Sequence, residues 1–270
     1  MTNFSDRLRV AALPLNIAWA DKAANLAAVE AAFERLPEST DVVVLPELFS
    51  TGFIDDPELM RDIAERNTGH TVDFLKELAA RHSVAIAGSF LATTHPRFFN
   101  RGFFIEPSGE ETFYDKRHLF SLSSEANVFA RGMDTLPVVR FRGWNIALIV
   151  CYDLRFPAWC RNRMGAYDLL LVPANWPQSR AYAWQHLLIA RAIENQCCVV
   201  GANRAGEDSY GVYDGLTYIF DGRGRPVGLI PDDCPFVVAD LDRAEQEEFR
   251  KKFPAMRDAD DFRILDREML

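Results

Sequence analysis

Three residues that close apolar runs have the side chains of an acyl-transfer site. Cys151 ends the run Trp144-Asn145-Ile146-Ala147-Leu148-Ile149-Val150 and is followed at once by Tyr152-Asp153-Leu154-Arg155-Phe156-Pro157. An aliphatic and β-branched run of that length reads as a buried strand, so the thiol emerges where the strand turns into a loop or helix. Ligands of open α/β sheets sit at such carboxyl ends, where backbone N–H groups stabilise a thiolate. Glu47 follows Val42-Val43-Val44-Leu45-Pro46, and Lys116 follows Thr112-Phe113-Tyr114. A carboxylate at a buried edge is a competent base for a thiol proton, and an ammonium beside it stabilises both thiolate and oxyanion. Each residue taken singly also has an ordinary role. A cysteine packs as a small hydrophobe, Glu47 would serve as a helix cap, and Lys116 would sit among surface charges.

The elements that must carry these residues alternate between strand-like and helical patterns. Strands are expected over Arg9–Leu15, Asp41–Leu45, Ser83–Phe90, Phe98–Ile105, Pro137–Phe141 and Asn145–Val150, then over Asp168–Val172, Cys197–Ala202, Leu216–Phe220 and Phe236–Leu241. Amphipathic helices are expected over Asp21–Leu36, Thr71–His82 and Ser179–Gln196, the last with Ser179 as its N-cap and Trp184, Leu187, Leu188 and Ala192 on one face. This is one α/β domain over residues 1–270, with too many strands for one simple sheet. Two sheet layers covered by helices fit better. The segment 243–270 opens with a charged run that suits a solvated helix face, and its Phe253, Met256, Phe262 and Ile264 would also suit docking on a partner subunit. Asp221-Gly222-Arg223-Gly224-Arg225 lacks the following helix of a phosphate loop and reads as a hairpin turn.

A net charge of −9 speaks against a nucleic-acid surface, which needs clustered basic residues. No run is long enough to span a membrane, and the N-terminus lacks a basic segment followed by an apolar stretch, so neither membrane nor export signal is expected. Five cysteines, an odd number without zinc-like spacing and including vicinal Cys197 and Cys198, point to free thiols in a reducing, cytoplasmic setting.

Three segments carry a resemblance that spans nearly the whole chain: Leu45-Pro46-Glu47-Leu48-Phe49, Tyr114-Asp115-Lys116-Arg117-His118-Leu119-Phe120 and Val150-Cys151-Tyr152-Asp153-Leu154-Arg155-Phe156-Pro157. In order and wording they resemble the three catalytic motifs of the nitrilase superfamily of carbon–nitrogen hydrolases, and within it the text is most similar to bacterial omega-amidases. Pro173-Ala174-Asn175-Trp176-Pro177 and Gly201-Ala202-Asn203-Arg204 extend the match. The resemblance implies a four-layer α-β-β-α sandwich with Cys151 as nucleophile, Glu47 as base and Lys116 beside them. It also implies a second glutamate near the leaving group, placed at Glu125. Lys116 and the N–H of Tyr152 would hold the oxyanion, with no metal or organic cofactor and a small-molecule amide as substrate. A homodimer is expected. His118 is read as structural, because the family's scheme has no histidine base.

An omega-amidase substrate carries a distal carboxylate, which a guanidinium pairs with bidentately. Arg155, four residues past the thiol, is the candidate, and related carbamoylases place a substrate-binding arginine at that offset. An ion pair with Asp153 is the competing role for it. Asn175 and Trp176, at the end of the strand Asp168–Val172, would line the pocket, although a tryptophan is as readily core. Ala183 stands where relatives often have a histidine before the helix tryptophan, so any contact of that histidine is missing. Two other outcomes remain open: a different amidase of the superfamily, acting on deaminated glutathione or N-carbamoyl amino acids, and a non-catalytic binding protein on the same fold.

Overall fold

A computed structural model of the chain describes residues 6–133 and 135–265. The first half runs β1 (Arg7–Ala12), α1 (Lys22–Phe33), β2 (Val42–Val44), α2 (Pro57–Ile63), α3 (His70–His82), β3 (Ala85–Thr94), β4 (Arg97–Ile105) and β5 (Glu111–Asp115). The second continues with α4 (Glu125–Val128), β6 (Val138–Phe141), β7 (Trp144–Leu148), α5 (Pro157–Cys160), β8 (Leu169–Ala174) and α6 (Ala181–Asn195). It closes with β9 (Cys198–Asn203), β10 (Ala205–Asp208), β11 (Gly211–Asp214), β12 (Tyr218–Phe220), β13 (Val237–Asp242) and α7 (Arg243–Lys252).

Alternate residues of the central strands face different apolar layers, as the two-residue period of a strand requires. Leu8, Val10 and Ala12 of β1 and Val42 and Val44 of β2 meet Ile146 and Leu148 of β7, Leu169 and Leu171 of β8 and Val200 and Ala202 of β9 in a layer between two sheets. The residues between them point outward. Ala11, Val43 and Ile86 pack under Val29 and Phe33 of α1 and Val72, Leu75 and Leu78 of α3. On the other side Ala147, Leu170 and Val199 pack under Trp184, Leu188 and Ala192 of α6. The result is the expected α-β-β-α sandwich. One sheet has the order β13-β1-β2-β3-β4-β5 and the other β12-β9-β8-β7-β6, with β10-β11 a separate hairpin. The strands at the centre of each, β1-β2-β3 and β7-β8-β9, are parallel. Their carboxyl ends therefore gather on one side of the molecule.

Local signals explain most element boundaries. Asp21 caps α1 by accepting from the N–H of Ala24, and Pro46 stands two residues past the end of β2. Gly201 lets α6 lie close on β9, since a Cβ there would stand 2.5 Å from Leu188 and 2.8 Å from Trp184. The expected cap Ser179 is a correction. It lies inside a 3-10 turn, Gln178–Arg180, that runs straight into α6, and the residue before the helix, Arg180, makes no side-chain cap. Asp221 to Arg225 is the expected tight turn, with Asp221 accepting from the N–H groups of Arg223 and Arg225. The charged run folds as α7. Its Gln246 accepts from the N–H of Cys198, and Arg250 pairs with Asp168 at 2.8 Å, so this helix is tied to its own chain. Positions 266–270 of the expected docking tail lie outside the described residues. Among the described residues no helix is long and apolar enough to cross a membrane.

Candidate active site

Val150 is extended, and the next residue, Cys151, has φ +44°, in the left-handed region that costs an L-residue on the order of 1–2 kcal/mol. A 3-10 turn over Cys151–Arg155 follows. The strand thus ends in a sharp corner with the thiol at its apex, and the Tyr152 N–H lies in a first helical turn, where such groups lack an intrahelical partner. Asp153, fully buried, holds the corner in shape. It accepts from the N–H of Val150 at 3.1 Å, the Tyr114 hydroxyl at 2.8 Å and the N–H of His118 at 2.9 Å. His118 also shares a 2.7 Å hydrogen bond with Asp153 through Nδ1 and stacks on Phe156. These contacts fasten the lysine segment to the cysteine segment, and they give His118 the structural place expected for it.

Lys116 lies between two carboxylates. Its Nζ is 2.8 Å from Oε1 of Glu47 and 2.7 Å from Oε1 of Glu125, and all three side chains are at most 5% exposed. The other oxygen of each glutamate accepts a backbone N–H: Asn175 to Glu47 at 2.8 Å and Phe120 to Glu125 at 2.6 Å. Two carboxylates and one ammonium leave this buried cluster a net −1. Burial favours the neutral amine of Lys116, yet the charges of Glu125 and Glu47 outweigh it and hold the ammonium well above its usual range. Burial pushes the Cys151 thiol well up, and the Glu47 charge adds to that, against the opposing pull of Lys116 and of the Asn175 N–H. A resting thiolate would bring the cluster to −2 in a low-dielectric site. The resting thiol therefore keeps its proton, with the Glu47 carboxylate beside it.

Sequence reasoning missed Asn100. Its Nδ2 donates to Glu47 at 2.7 Å, while its Oδ1 accepts from the Ser89 hydroxyl at 2.8 Å, and Ser89 in turn accepts from the N–H of Leu48. The available signal was polarity inside apolar strands: Ser89 within Ala85–Phe90 and Asn100 within Phe98–Phe104. Buried polar side chains are kept where they are hydrogen-bonded, so such interruptions mark a network.

Glu47, Lys116, Glu125 and Cys151 form the floor of a cavity of about 170 Å³, walled by Phe53, Phe120, Tyr152, Asn175, Trp176 and Tyr213 among others. All eight residues expected at the site are brought together here. Arg155 also lines the cavity, with its guanidinium 5.0 Å from the centre of the Trp176 ring. Asp153 is taken up by Tyr114, His118 and Val150, so the alternative ion pair with Arg155 does not form. Trp176 is both wall and core: it is 4% exposed and packs against Trp184. The Asn175 side-chain amide is buried without a hydrogen-bond partner among the described residues, although its residue faces the cavity. Tyr210, in the turn between β10 and β11, closes one side, and its hydroxyl donates to Asp55, which also accepts from Ser124 beside Glu125. Among the described residues no cluster of three or more His, Cys, Asp or Glu is placed to hold a metal ion.

A thiol, an ammonium and two carboxylates gathered at one end of two stacked sheets are a set suited to opening an amide by acyl transfer. The chain is a member of the carbon–nitrogen hydrolase family, whose model matches residues 9–251. It is 39% identical over 259 residues to the omega-amidase YafV of Escherichia coli K12, covering 95% of this chain and 98% of that one. It is 31% identical over 253 residues to the 2-oxoglutaramate amidase of Bacillus subtilis 168, covering 92% and 96%. Among solved structures it is similar to XC1258 of Xanthomonas campestris, a CN-hydrolase superfamily protein with an arsenic adduct in its active site. That match has 39% identity and a TM-score of 0.89, covering 96% of this chain and 99% of the other.

Proposed function

We propose that the chain is an omega-amidase, hydrolysing the terminal amide of dicarboxylic monoamides such as 2-oxoglutaramate to the acid and ammonia. The observation that carries this reading is the Lys116 ammonium held between Glu47 and Glu125 beside the Cys151 thiol. The names of the E. coli and B. subtilis relatives supply the substrate class.

In this scheme Glu47 takes the Cys151 proton as the sulfur attacks the amide carbon. The C–S bond forms, and the negative charge that develops on the amide oxygen meets Lys116 and the Tyr152 N–H. Glu47 returns the proton to the departing nitrogen, the C–N bond breaks and ammonia leaves a thioester. Glu125 and Lys116 then orient a water, Glu47 removes its proton, and the C–S bond breaks to give the acid and the thiol. Asn100 and the Asn175 N–H keep the Glu47 carboxylate aimed through both halves. Arg155, stacked on Trp176 with its N–H edges open, pairs with the distal carboxylate. Asn175 and Trp176 complete the substrate wall.

The reading takes the chain to work in the cytoplasm as a homodimer, with Tyr182 and Ile193, exposed on α6, in the shared face. Sedimentation showing only monomer at micromolar concentration would count against the dimer. Ammonia release from 2-oxoglutaramate, deaminated glutathione and an N-carbamoyl amino acid, assayed side by side, tests the substrate. The expected result is the highest kcat/KM for 2-oxoglutaramate, and a higher value for either other amide would overturn the assignment.

A further inference from the structure

The cavity wall carries a second arginine. Arg180 ends the 3-10 turn before α6, and its guanidinium carbon stands 4.9 Å from the centre of the Phe120 ring. Arg155 makes the matching contact with Trp176 at 5.0 Å. Neither guanidinium pairs with a carboxylate among the described residues, whereas Arg101, Arg191, Arg204 and Arg250 each do. One indole serves both arms: Trp176 offers its face to Arg155 and donates from Nε1 to the Arg180 carbonyl at 2.9 Å. An aromatic face holds a guanidinium flat and leaves its N–H edge free for a planar anion.

The charges also divide the cavity. Glu47, Lys116 and Glu125 are buried and together carry −1, while Arg155 and Arg180 are exposed and carry +2 at the open end. An uncharged amide meets no penalty at the negative floor, whereas a carboxylate is repelled there and attracted at the mouth. A molecule with an amide at one end and a carboxylate at the other is thereby turned amide-first before any contact with the thiol.

We propose that Arg180 is a specificity-determining residue, the second arm of a two-arginine clamp that takes the distal carboxylate of an anionic amide together with Arg155. The proposal rests on the omega-amidase reading and adds a residue that the sequence pattern did not mark. A carboxylate has acceptor sites enough for two guanidiniums.

Steady-state kinetics of the wild type, Arg180→Gln and Arg180→Lys on 2-oxoglutaramate, glutaramate and the neutral valeramide test it. In Arg180→Gln the KM for both anionic amides should rise roughly ten- to hundredfold, the span of one charge-assisted hydrogen bond, with kcat little changed. Discrimination against valeramide should fall by the same factor, Arg180→Lys should recover part of it, and the salt dependence of KM should flatten. A KM that is unchanged, or that rises equally for valeramide, overturns the clamp. Wild type that prefers glutaramate to 2-oxoglutaramate would contradict the assigned substrate, while the glutaramate ratio would still decide the role of Arg180. Calorimetric binding of glutarate reads the clamp without turnover: at least tenfold weaker binding to Arg180→Gln supports it, and equal affinity overturns it even if none of the three amides is hydrolysed.

Discussion

Lys116 and Glu47 form an ion pair of 2.8 Å between side chains that are 3% and 5% exposed. Taking two charges out of water is costly, and the cost is recovered here because Glu125 and Asn100 complete the set of partners. Removing one member is far worse than never having had the pair. Lys116→Met leaves two facing carboxylates without a cation, so we expect a loss of about 3–5 kcal/mol in unfolding free energy and of roughly a hundredfold or more in kcat. Urea melts read beside turnover check this. A variant as stable as the wild type would show that the pair contributes nothing to folding.

The Cys151 thiol keeps its proton because burial and the Glu47 charge outweigh Lys116. In the free enzyme its alkylation by iodoacetamide should be slow at neutral pH and keep climbing without a plateau past about pH 8.5, where an ordinary thiol is half ionised. A plateau near neutrality would mean a resting thiolate and would remove the need for Glu47 as base.

Asn100 touches no reacting atom in the scheme, so it is a positioning residue. Asn100→Leu keeps the volume and deletes the donor to Glu47. A fall in kcat of about ten- to hundredfold is expected with KM little changed, because a carboxylate that is no longer aimed slows the chemistry and not the binding. A KM that rises as much as kcat falls would instead indicate a structural defect.

Much of this site was legible because it lies at strand ends. Pro46 after β2, the short run Thr112-Phe113-Tyr114 just ahead of Lys116 and the run before Cys151 are local signals, and local signals survive in a linear string. What was illegible depends on pairing between distant segments. Asn100 meets Glu47 only because β4 lies antiparallel to β3 over nine residue pairs, well past the expected end at Phe90. Ser179 has a good capping side chain, yet the chain enters α6 through a preceding turn, which leaves the capping position to Arg180. The hairpin β10-β11 was invisible because Gly206, Asp208 and Gly211 break its alternation, although Tyr210 at its turn borders the cavity. Arg180 looked like any surface arginine until the fold set it over Phe120.

Stability should fall on the alkaline side. Burial holds Cys160 and Cys198 protonated up to about 12, whereas an unfolded thiol ionises near ~8.5. Between those limits the unfolded chain has bound fewer protons than the folded one, so each rise in pH favours unfolding. Below about pH 8 the contribution is fully present. Unfolding free energies from denaturant melts at pH 7.5 and 10.5 should differ by an amount on the order of 1–3 kcal/mol per thiol, and Cys160→Ala should narrow the gap. Equal unfolding free energies at the two pH values would contradict the burial of these groups.

The central claim is that Cys151 carries the acyl group. Rapid acid quench of the enzyme turning over 2-oxoglutaramate, followed by intact-mass measurement, should show a chain heavier by the acyl group. Peptide mapping should place the addition on Cys151, and it should be absent from a folded, inactive Cys151→Ala variant. Hydrolysis by Cys151→Ala at the wild-type rate, or an acyl group mapped to another residue, would contradict the account.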